Sequence, residues 1–453
     1  MRKEKGIHLY ISIINFNDII LQEESQTGNV IHSLHALDTF FTSIEQYGKK
    51  VSPQDFVIEK ITGSRLHLYV LGEPDPAFHV VKTISSYAHN LSKYINSDIP
   101  KYKSLGDFKI QIGADYGKFY EFEFVSNDKF TELTTIGYVA NFAAKIQALS
   151  KPSKLSISKN IFDTLSEDEQ KKYEKIENKA IEKYGQKYFY SIPLSSVESP
   201  LHISDEDLEF AKKYANSDNL SDIEFTKIRK LLNFQNLSKT QCKELYGIPV
   251  FADVRGFTTL FKEDDSNLEE MTETTQNILK AMYGVSTENG GIHVQFQGDR
   301  ELSLYHNIPE SNVSGSVHAE KKCFKEAVIA SMRMIDAVKP YNVQIGIGED
   351  FGRLFATKIG ARGEKDNILL GETIIEADKM EDKYAGADQI AISQKVYSGL
   401  EIEAPELAEQ FTKKDDYYII AIGHKQYLRN VSSNQQTYNT SHNSYNGAWG
   451  DLQ

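Results

Sequence analysis

Apolar and polar positions along the chain form one pattern that occurs twice. Each half opens with a β-branched apolar run, passes through a polar turn into a stretch with apolar residues at helical spacing, such as Leu268–Tyr283, and reaches a hairpin at Gly63 or Gly298. A second helical stretch follows, for example Lys322–Val338, and then further hairpin strands and a helix. This mixture of strands, hairpins and helices predicts an α+β sheet covered by helices on one face.

Four segments recur in the same order at a nearly constant offset, which indicates a duplication. The pairs are Tyr10–Asp18 with Val250–Phe257, Glu59–Tyr69 with Gln295–Tyr305, Lys109–Phe119 with Asn342–Leu354, and Thr135–Ile146 with Leu370–Met380. In the third pair a shared QIG string aligns Gln111 with Gln344. The sequence therefore predicts two domains of the same fold.

The duplication also suggests domain boundaries. We expect a first domain over residues 1–193, a charged helical linker over 194–245, and a second domain over 246–428. Residues 429–453 are rich in Asn, Ser, Gln and Tyr without periodicity, which predicts a disordered tail.

Charge and apolar runs narrow the partners of the chain. The net charge is -13 without a block of Lys and Arg, which argues against nucleic acid or an anionic membrane as the main partner. Polar residues break the apolar stretch Ile7–Ile20, so it predicts neither a signal core nor a membrane span. The two cysteines show no CxxC spacing, as in reduced cytosolic proteins, and we expect a cytoplasmic location.

The segment Phe251–Phe261 carries the first candidate for chemistry. It predicts a strand that presents Asp253 at its end, a tight turn at Gly256, and a helix that opens near Thr258. A carboxylate there can hold a divalent metal, and the backbone N–H groups of Phe257 and Thr258 can face phosphate oxygens. Alternatively, Asp253 is only a turn residue or a helix N-cap.

A second carboxylate, Asp299, follows Gly298 in a predicted hairpin turn. Gly-Asp is also a favoured turn dipeptide for purely structural reasons. The pair Asp253 and Asp299 is more specific, because two carboxylates at adjacent strand ends can hold two divalent ions for an in-line phosphoryl displacement.

These segments together resemble the catalytic domain of class III adenylyl and guanylyl cyclases, over most of both halves. The resemblance implies tandem ferredoxin-like α+β domains that pair face to face as an intramolecular pseudo-heterodimer. In this family the active site lies at the interface. One partner supplies two metal-binding aspartates, and the other supplies base-reading residues and an Asn/Arg couple that stabilises the transition state.

The halves divide these roles. The second half matches both metal positions with Asp253 and Asp299, whereas the first half has Ser64 at the second position and Ile14 or Asn15 near the first. The resemblance therefore implies that the first half carries no metals.

The first half keeps the complementary residues. Asn141 falls on the transition-state asparagine, Lys145 falls where the family usually has arginine, and Lys60 falls on the base-reading lysine with Thr134 as its partner. The second half has Ile375 at the asparagine position, so the resemblance implies one active site and one inactive or regulatory site.

Three more positions follow from the resemblance. Lys183 aligns loosely with a lysine that reaches the terminal phosphate, and Gln111 and Gln344 stand where the family often has a phosphate-binding arginine. Without the resemblance, Lys60 and Lys145 would be equally compatible with ordinary surface lysines.

The implied reaction converts a nucleoside triphosphate into a 3′,5′-cyclic monophosphate and pyrophosphate with two Mn²⁺ or Mg²⁺ ions. The chain shows no sensor region. In this minimal form it is similar to the bacterial anti-phage pyrimidine cyclases, and a two-domain chain most resembles the cytidylate cyclase type of the Pycsar system. That resemblance implies CTP as substrate, cyclic CMP as product and a separate effector protein that reads it.

Other outcomes stay open. Cyclisation of ATP or UTP in general signalling is one alternative, and a catalytically silent tandem cyclase fold used as a sensor or scaffold is another. We expect a monomer with intramolecular domain pairing or a weak homodimer.

Overall fold

A computed structural model describes most of the 453-residue chain. The described residues are 1–125, 131–217, 224–228, 230–238, 241–261, 266–306, 323–360 and 366–430. Residues 424–430 are helical, and the rest of the predicted tail lies outside the described residues. Within the described ranges, no helix combines the length and apolar character that a membrane crossing requires.

The first half alternates strands with helices. Its strands are β1 (Arg2–Ile13), β2 (Phe56–Thr62), β3 (Arg65–Leu71), β4 (Ile110–Val125), β5 (Thr131–Ile136), β6 (Lys154–Ile157), β7 (Glu174–Glu177) and β8 (Tyr188–Pro193). Its α-helices are α1 (Phe16–Thr27), α2 (Ile31–Val51), α3 (Pro74–Asp98), α4 (Tyr138–Leu149), α5 (Lys159–Phe162) and α6 (Glu167–Gln170). Short 3₁₀ helices span Pro100–Leu105, Lys179–Tyr184 and Leu194–Ser196.

The second half follows the same plan after helix α7 (Asp205–Ala215). Its strands are β9 (Glu224–Lys227), β10 (Gln241–Val254), β11 (Ile292–Gln297), β12 (Arg300–Tyr305), β13 (Ile345–Glu349), β14 (Gly352–Ile359), β15 (Asp366–Leu370), β16 (Gln389–Ser393), β17 (Thr412–Lys413) and β18 (Tyr417–Ile420). Its α-helices are α8 (Leu268–Glu288), α9 (Cys323–Val338), α10 (Glu372–Lys379), α11 (Gln394–Glu403) and α12 (Pro405–Ala408). Short 3₁₀ helices span Phe234–Asn236, Phe257–Leu260 and Lys339–Tyr341, and a π-helix spans Met380–Tyr384.

The two sheets have the same strand order. The first runs β2-β3-β1-β4-β6-β8-β7 and the second runs β11-β12-β10-β13-β16-β18-β17. In each sheet one pair on this path, β4–β6 or β13–β16, is parallel, and the other pairs on the path are antiparallel. The predicted α+β fold and its duplication are therefore confirmed.

Local sequence explains the strands nearest the candidate site. Strand β1 is central, and Ile7, Leu9 and Ile11 lie on one of its faces, where they are fully buried; His8 and Ser12, on the opposite face, are buried as well. The hairpin beside β1 turns at Gly63 and the one beside β10 turns at Gly298, with φ of 56° and 72°. Only glycine adopts such angles readily, and these turns set the ends of the strands that flank the site.

Strand register corrects one alignment made from the sequence. Asp253 of β10 lies opposite Arg300 and Gly346, and Ser12 of β1 lies opposite Arg65 and Gln111. Because Arg65 and Arg300 both follow the hairpin turn directly, Ser12 is the counterpart of Asp253. The first metal position of the first half is therefore Ser12, and the prediction of Ile14 or Asn15 was wrong by two or three residues.

The shared QIG string is also out of register. A side chain at Gly113 would overlap the backbone of Gln147. A side chain at Gly348 would overlap the backbone of Glu381, which lies at the matching place in the second half. Gly113 therefore corresponds to Gly348, and the counterpart of Gln111 is Gly346 rather than Gln344.

The segment between the halves differs from the predicted helical linker. Helix α7 covers eleven residues of it. Beyond them, β9 joins the second sheet in parallel with β10, and β10 itself begins at Gln241, before the predicted start of the second domain. Part of the predicted linker therefore belongs to the second sheet.

The halves pack against each other through shared hydrophobic cores. Phe122 and Phe142 of the first half lie in one buried cluster with Val250 and Phe257 of the second. Another cluster joins Phe355 of the second half to the first-half core. This packing gives the intramolecular pairing that the fold class requires.

Candidate active site

The two candidate metal carboxylates lie side by side at one end of the second sheet. Asp253 is the penultimate residue of β10, and its side chain is 29% exposed. Asp299 lies in the turn between β11 and β12, immediately before Arg300, the cross-strand neighbour of Asp253. The structure thus brings together the two carboxylates that the sequence singled out.

The electrostatics of this pair suit a cation. Burial raises the pKa of Asp253, with repulsion from Asp382 adding to it and attraction by Arg300 and Arg255 opposing it. Burial and then repulsion from Asp253 raise the pKa of Asp299 well above its usual range. Two half-buried carboxylates that repel each other are a donor set that a divalent cation would satisfy. The residues therefore fit Mg²⁺ or Mn²⁺.

Two arginines and a glutamate surround the carboxylates. Arg255 Nη1 lies 3.5 Å from Asp253 Oδ2 and 2.5 Å from Glu381 Oε1. Arg300 forms ion pairs with Glu381 and, at 2.7 Å, with Asp378. Glu381 could not be predicted from local sequence, because only the tertiary fold brings the π-helix Met380–Tyr384 to the end of β10.

The first half contributes helix α4. Asn141 lies on it, and its buried side-chain Nδ2 has no hydrogen-bond partner among the described residues. Burial, followed by repulsion from Lys183, lowers the pKa of Lys145, and Asp382 of the second half opposes this shift. Lys145 and Lys183 are therefore near neighbours, and Asp382, which also acts on Asp253, links them to the metal carboxylates.

The turn after β10 connects the two sets of residues. Gly256 has φ of 69°, and the four-residue 3₁₀ helix Phe257–Leu260 follows it, where the sequence predicted a helix that opens near Thr258. This 3₁₀ helix contacts α4 and the 3₁₀ helix that carries Lys183. Phe257 is buried and packs on Phe261 with ring centroids 5.0 Å apart, so its side chain belongs to the core. The side chain of Thr258 lies outside the described residues.

Lys60 does not have the partner that the resemblance implied. Its ammonium is buried, forms an ion pair with Glu132 of β5, and donates a 2.7 Å hydrogen bond to the carbonyl of Phe296 in the second half. The Oγ1 of Thr134 is also buried and has no hydrogen-bond partner within the described part of the chain. Glu132 and Thr134 are two residues apart on β5 and so share a face, which is the signal that could have found Glu132.

A cavity of about 880 Å³ lies between the halves next to Lys60. Glu132, His293 and Asp366 also line it, and neither metal carboxylate does. The Lys60–Glu132 pair therefore lies in the wall of a cavity that does not include the metal carboxylates.

The pseudo-symmetric positions lack this chemistry. Ser12 and Ser64 replace the two aspartates, and Ile375 of α10 replaces Asn141. Gln295 stands at the position of Lys60 and donates to the carbonyl of Asn367, 3.0 Å away. The interface thus has one end with paired carboxylates and one without.

Residues 244–438 match the family described as the adenylate and guanylate cyclase catalytic domain. This part of the chain is similar to class III cyclase catalytic domains. It carries Asp253, Asp299 and both flanking arginines, so the family match covers the half in which the sequence predicted the metal site.

Two relatives extend the class III cyclase likeness to the rest of the chain. The uridylate cyclase of Pseudomonas aeruginosa is 21% identical over 420 residues, which cover 86% of this chain and 77% of that protein. The crystal structure of a class III adenylyl cyclase-like ATP-binding protein from Pseudomonas aeruginosa aligns with a TM-score of 0.73 and 16% identity, over 94% of this chain and 90% of that one. The structural likeness confirms the predicted tandem cyclase fold.

Proposed function

We propose that the chain is a nucleotidyl cyclase with one active site, formed by Asp253 and Asp299 of the second half and Asn141 and Lys145 of the first. The supporting observation is that complementary residues from both halves gather at one end of the interface, while their counterparts at the other end are Ser12, Ser64 and Ile375. The reaction is attack of the ribose 3′-oxygen on the α-phosphorus, with loss of pyrophosphate.

Each residue has a role that its surroundings support. Asp253 and Asp299 hold the divalent ions, which when bound lower the pKa of the ribose hydroxyl and carry triphosphate charge. The unpartnered Nδ2 of Asn141 donates to the ribose. Lys145 and Lys183 repel each other in the free protein and both gain an anionic partner when the triphosphate binds. Lys145 binds as a point charge, without the two-pronged contact that an arginine would make.

We infer that the base is a pyrimidine. The sequence resemblance implied CTP, whereas the relative from Pseudomonas aeruginosa is a uridylate cyclase, and its name favours UTP over CTP. The Lys60 ammonium can donate to a base acceptor, and the Thr134 hydroxyl can donate or accept. This combination suits uracil or cytosine alike.

The deciding experiment incubates the purified full chain with ATP, GTP, CTP and UTP separately, with Mn²⁺ or Mg²⁺, and identifies products by mass. Cyclic UMP or cyclic CMP supports the proposal and assigns the base. Cyclic AMP alone returns the protein to general signalling. No product from any nucleotide, together with nucleotide binding, favours the silent scaffold. Asp253→Asn is the matched negative control.

We propose in addition that the product is a signal in antiviral defence, read by a separate effector protein. The support is the resemblance to anti-phage pyrimidine cyclases. The test compares phage plaque counts on bacteria that carry the chain with its neighbouring genes, in wild-type and Asp253→Asn form. Equal plaque counts would contradict the defence role and leave the enzymatic assignment intact.

A further inference from the structure

Glu381 occupies a central place beside the metal carboxylates. It is 3% exposed and lies in the five-residue π-helix Met380–Tyr384, an irregularity often found at functional sites. Arg255 Nη1 contacts one oxygen of its carboxylate at 2.5 Å, and Arg300 Nη2 contacts the other. Arg255 Nη2 also donates to the carbonyls of Glu381 and Ala385, at 2.8 and 2.9 Å.

Both arginines are also within reach of Asp253. Arg255 Nη1 is 3.5 Å from Asp253 Oδ2, longer than its contact with Glu381, and Arg300 is the cross-strand neighbour of Asp253. The guanidinium of Arg300 lies over the Phe251 ring, 4.1 Å from its centroid. If Arg255 were released from Glu381, Asp253 would be its nearest carboxylate partner, and Arg255 would then compete with a divalent ion for the same oxygens. Arg300 would keep its 2.7 Å ion pair with Asp378.

We propose that Glu381 is a positioning residue that keeps Arg255 from closing on Asp253 and so keeps this carboxylate available for divalent ions; this inference rests on the proposed two-metal function. The 2.5 Å contact of Arg255 with Glu381 is shorter than its 3.5 Å contact with Asp253, so the guanidinium is held on the Glu381 side. Replacing the carboxylate of Glu381 leaves Arg255 free to neutralise Asp253.

The half without metal carboxylates keeps Arg65 at the position of Arg300, but it has neither a glutamate at the position of Glu381 nor an arginine at that of Arg255. Gln147 stands at the position of Glu381, and its carbonyl accepts a 2.7 Å hydrogen bond from Gln111 Nε2 instead of from an arginine. Ile14 stands two residues after Ser12, at the position of Arg255. In the first half, which has no metal carboxylates, the neutral amide of Gln111 donates to the backbone carbonyl of Gln147. In the second half the guanidinium of Arg255 donates to the equivalent carbonyl of Glu381.

The test measures binding of Mn²⁺ alone to the full chain, from the electron paramagnetic resonance signal of the free ion. Glu381→Gln keeps the shape of the side chain and removes its charge. We expect it to weaken Mn²⁺ binding ~10-fold, because a guanidinium in contact with a carboxylate changes the affinity of that carboxylate for another cation by about this factor. Arg255→Gln in the Glu381→Gln background removes the competing guanidinium. We expect the double variant to bind Mn²⁺ within ~3-fold of Arg255→Gln alone, because residues in contact are strongly coupled.

Each outcome decides the inference. Wild-type affinity in Glu381→Gln, or a double variant as weak as Glu381→Gln, would overturn it. If Glu381→Gln does not fold, as judged by its thermal melt, the double variant is compared with Arg255→Gln instead. A double variant that binds Mn²⁺ ~10-fold more weakly than Arg255→Gln would overturn the inference. If Asp253→Asn binds Mn²⁺ as well as the wild type, the proposed metal site itself fails, and the inference fails with it.

Kinetics separate positioning from a general loss of structure. In a protein with the proposed activity, Glu381→Gln should raise the Mn²⁺ concentration for half-maximal rate while kcat at saturating Mn²⁺ stays within ~3-fold of wild type. A fall in kcat with an unchanged Mn²⁺ requirement would instead indicate a structural role and contradict the inference.

Discussion

The two ends of the interface between the halves share one fold and differ in chemistry. At one end Asp253 and Asp299 lie next to the turn into Phe257–Leu260, which contacts the helix of Asn141. At the other, serines and an isoleucine stand in the same positions on strands of the same order. The same sheet therefore places equivalent residues at both ends, and only a few side chains decide whether an end can bind metal. Paired substitutions at matched positions can therefore test the proposed division of roles.

The largest effect is expected at the carboxylates. Asp253→Asn should lower cyclase activity by ~10³-fold or more, because it removes a ligand of ions that stabilise both attacking and leaving oxygens. Ser12→Asn, the matched change at the other end, should alter activity less than ~3-fold. Turnover assays with excess Mn²⁺ provide the measurement. Comparable losses in the two variants would show that the ends are not divided as proposed.

The transition-state residue should give the next largest effect. Asn141→Ala should lower kcat by ~10²-fold to 10³-fold with little change in KM, as for other single donors to a developing charge. Ile375→Ala is the control, and its kcat should stay near wild type. Steady-state kinetics distinguish the two, and a greater loss in Ile375→Ala would reverse the assignment of the halves.

The buried Lys60–Glu132 ion pair next to the cavity can be tested through its effect on stability. Glu132→Gln leaves Lys60 and His293 without their shared carboxylate, and breaking such a buried pair costs ~3–5 kcal/mol of the free energy of unfolding. Asp366 is the control, because it lies at the start of β15 as Glu132 lies near the start of β5. Burial raises the pKa of Asp366 to about 7, so much of it is neutral near pH 7 and Asp366→Asn should lower the free energy of unfolding by less than ~1 kcal/mol. Urea denaturation measures both. A smaller loss in Glu132→Gln than in Asp366→Asn would contradict the importance of the pair.

The smallest effect concerns pH. Because the pKa values of Asp253 and Asp299 are raised in the folded chain, the protonated carboxyl groups contribute to the free energy of unfolding at low pH. This stabilisation is lost as the pH rises from the pKa of the unfolded chain through the pKa of the folded chain. Mn²⁺ binds the ionised forms, so it should raise the melting temperature more at pH 8 than at pH 5. The difference should be a few degrees, since ten-fold excess over Kd contributes about 1.4 kcal/mol. Asp253→Asn should abolish the difference; an equal shift in that variant would place the bound ion elsewhere.

Local patterns were enough to predict the duplication, the sheet and both carboxylates. Glycine turns, apolar strands and aspartates at strand ends are short-range signals, and Gly63 and Gly298 fixed the hairpins in each half. The QIG string misled because letters can recur two residues out of register, and only pairing across the sheet, with Gly346 opposite Asp253, reveals the shift.

The contacts that cross the interface could not be predicted in this way. Lys60 finds Glu132 on another strand and a carbonyl in the other half, and Glu381 reaches the arginines from a helix 126 residues beyond Arg255. The sequence predicted a phosphate contact for the backbone N–H of Phe257, and it did not predict that the side chain of Phe257 would fill the shared core. Such choices depend on which surfaces meet, and a linear pattern does not contain that information.

The shared core between the halves has a consequence for how the catalyst responds to dilution. Two cyclase units that meet only by collision lose activity when they are dilute, because the fraction of assembled pairs falls. Here both units are in one polypeptide, and the second meets the first at an effective concentration set by the chain rather than by the cell. The specific activity of such an enzyme should be the same at a few copies per cell as at many.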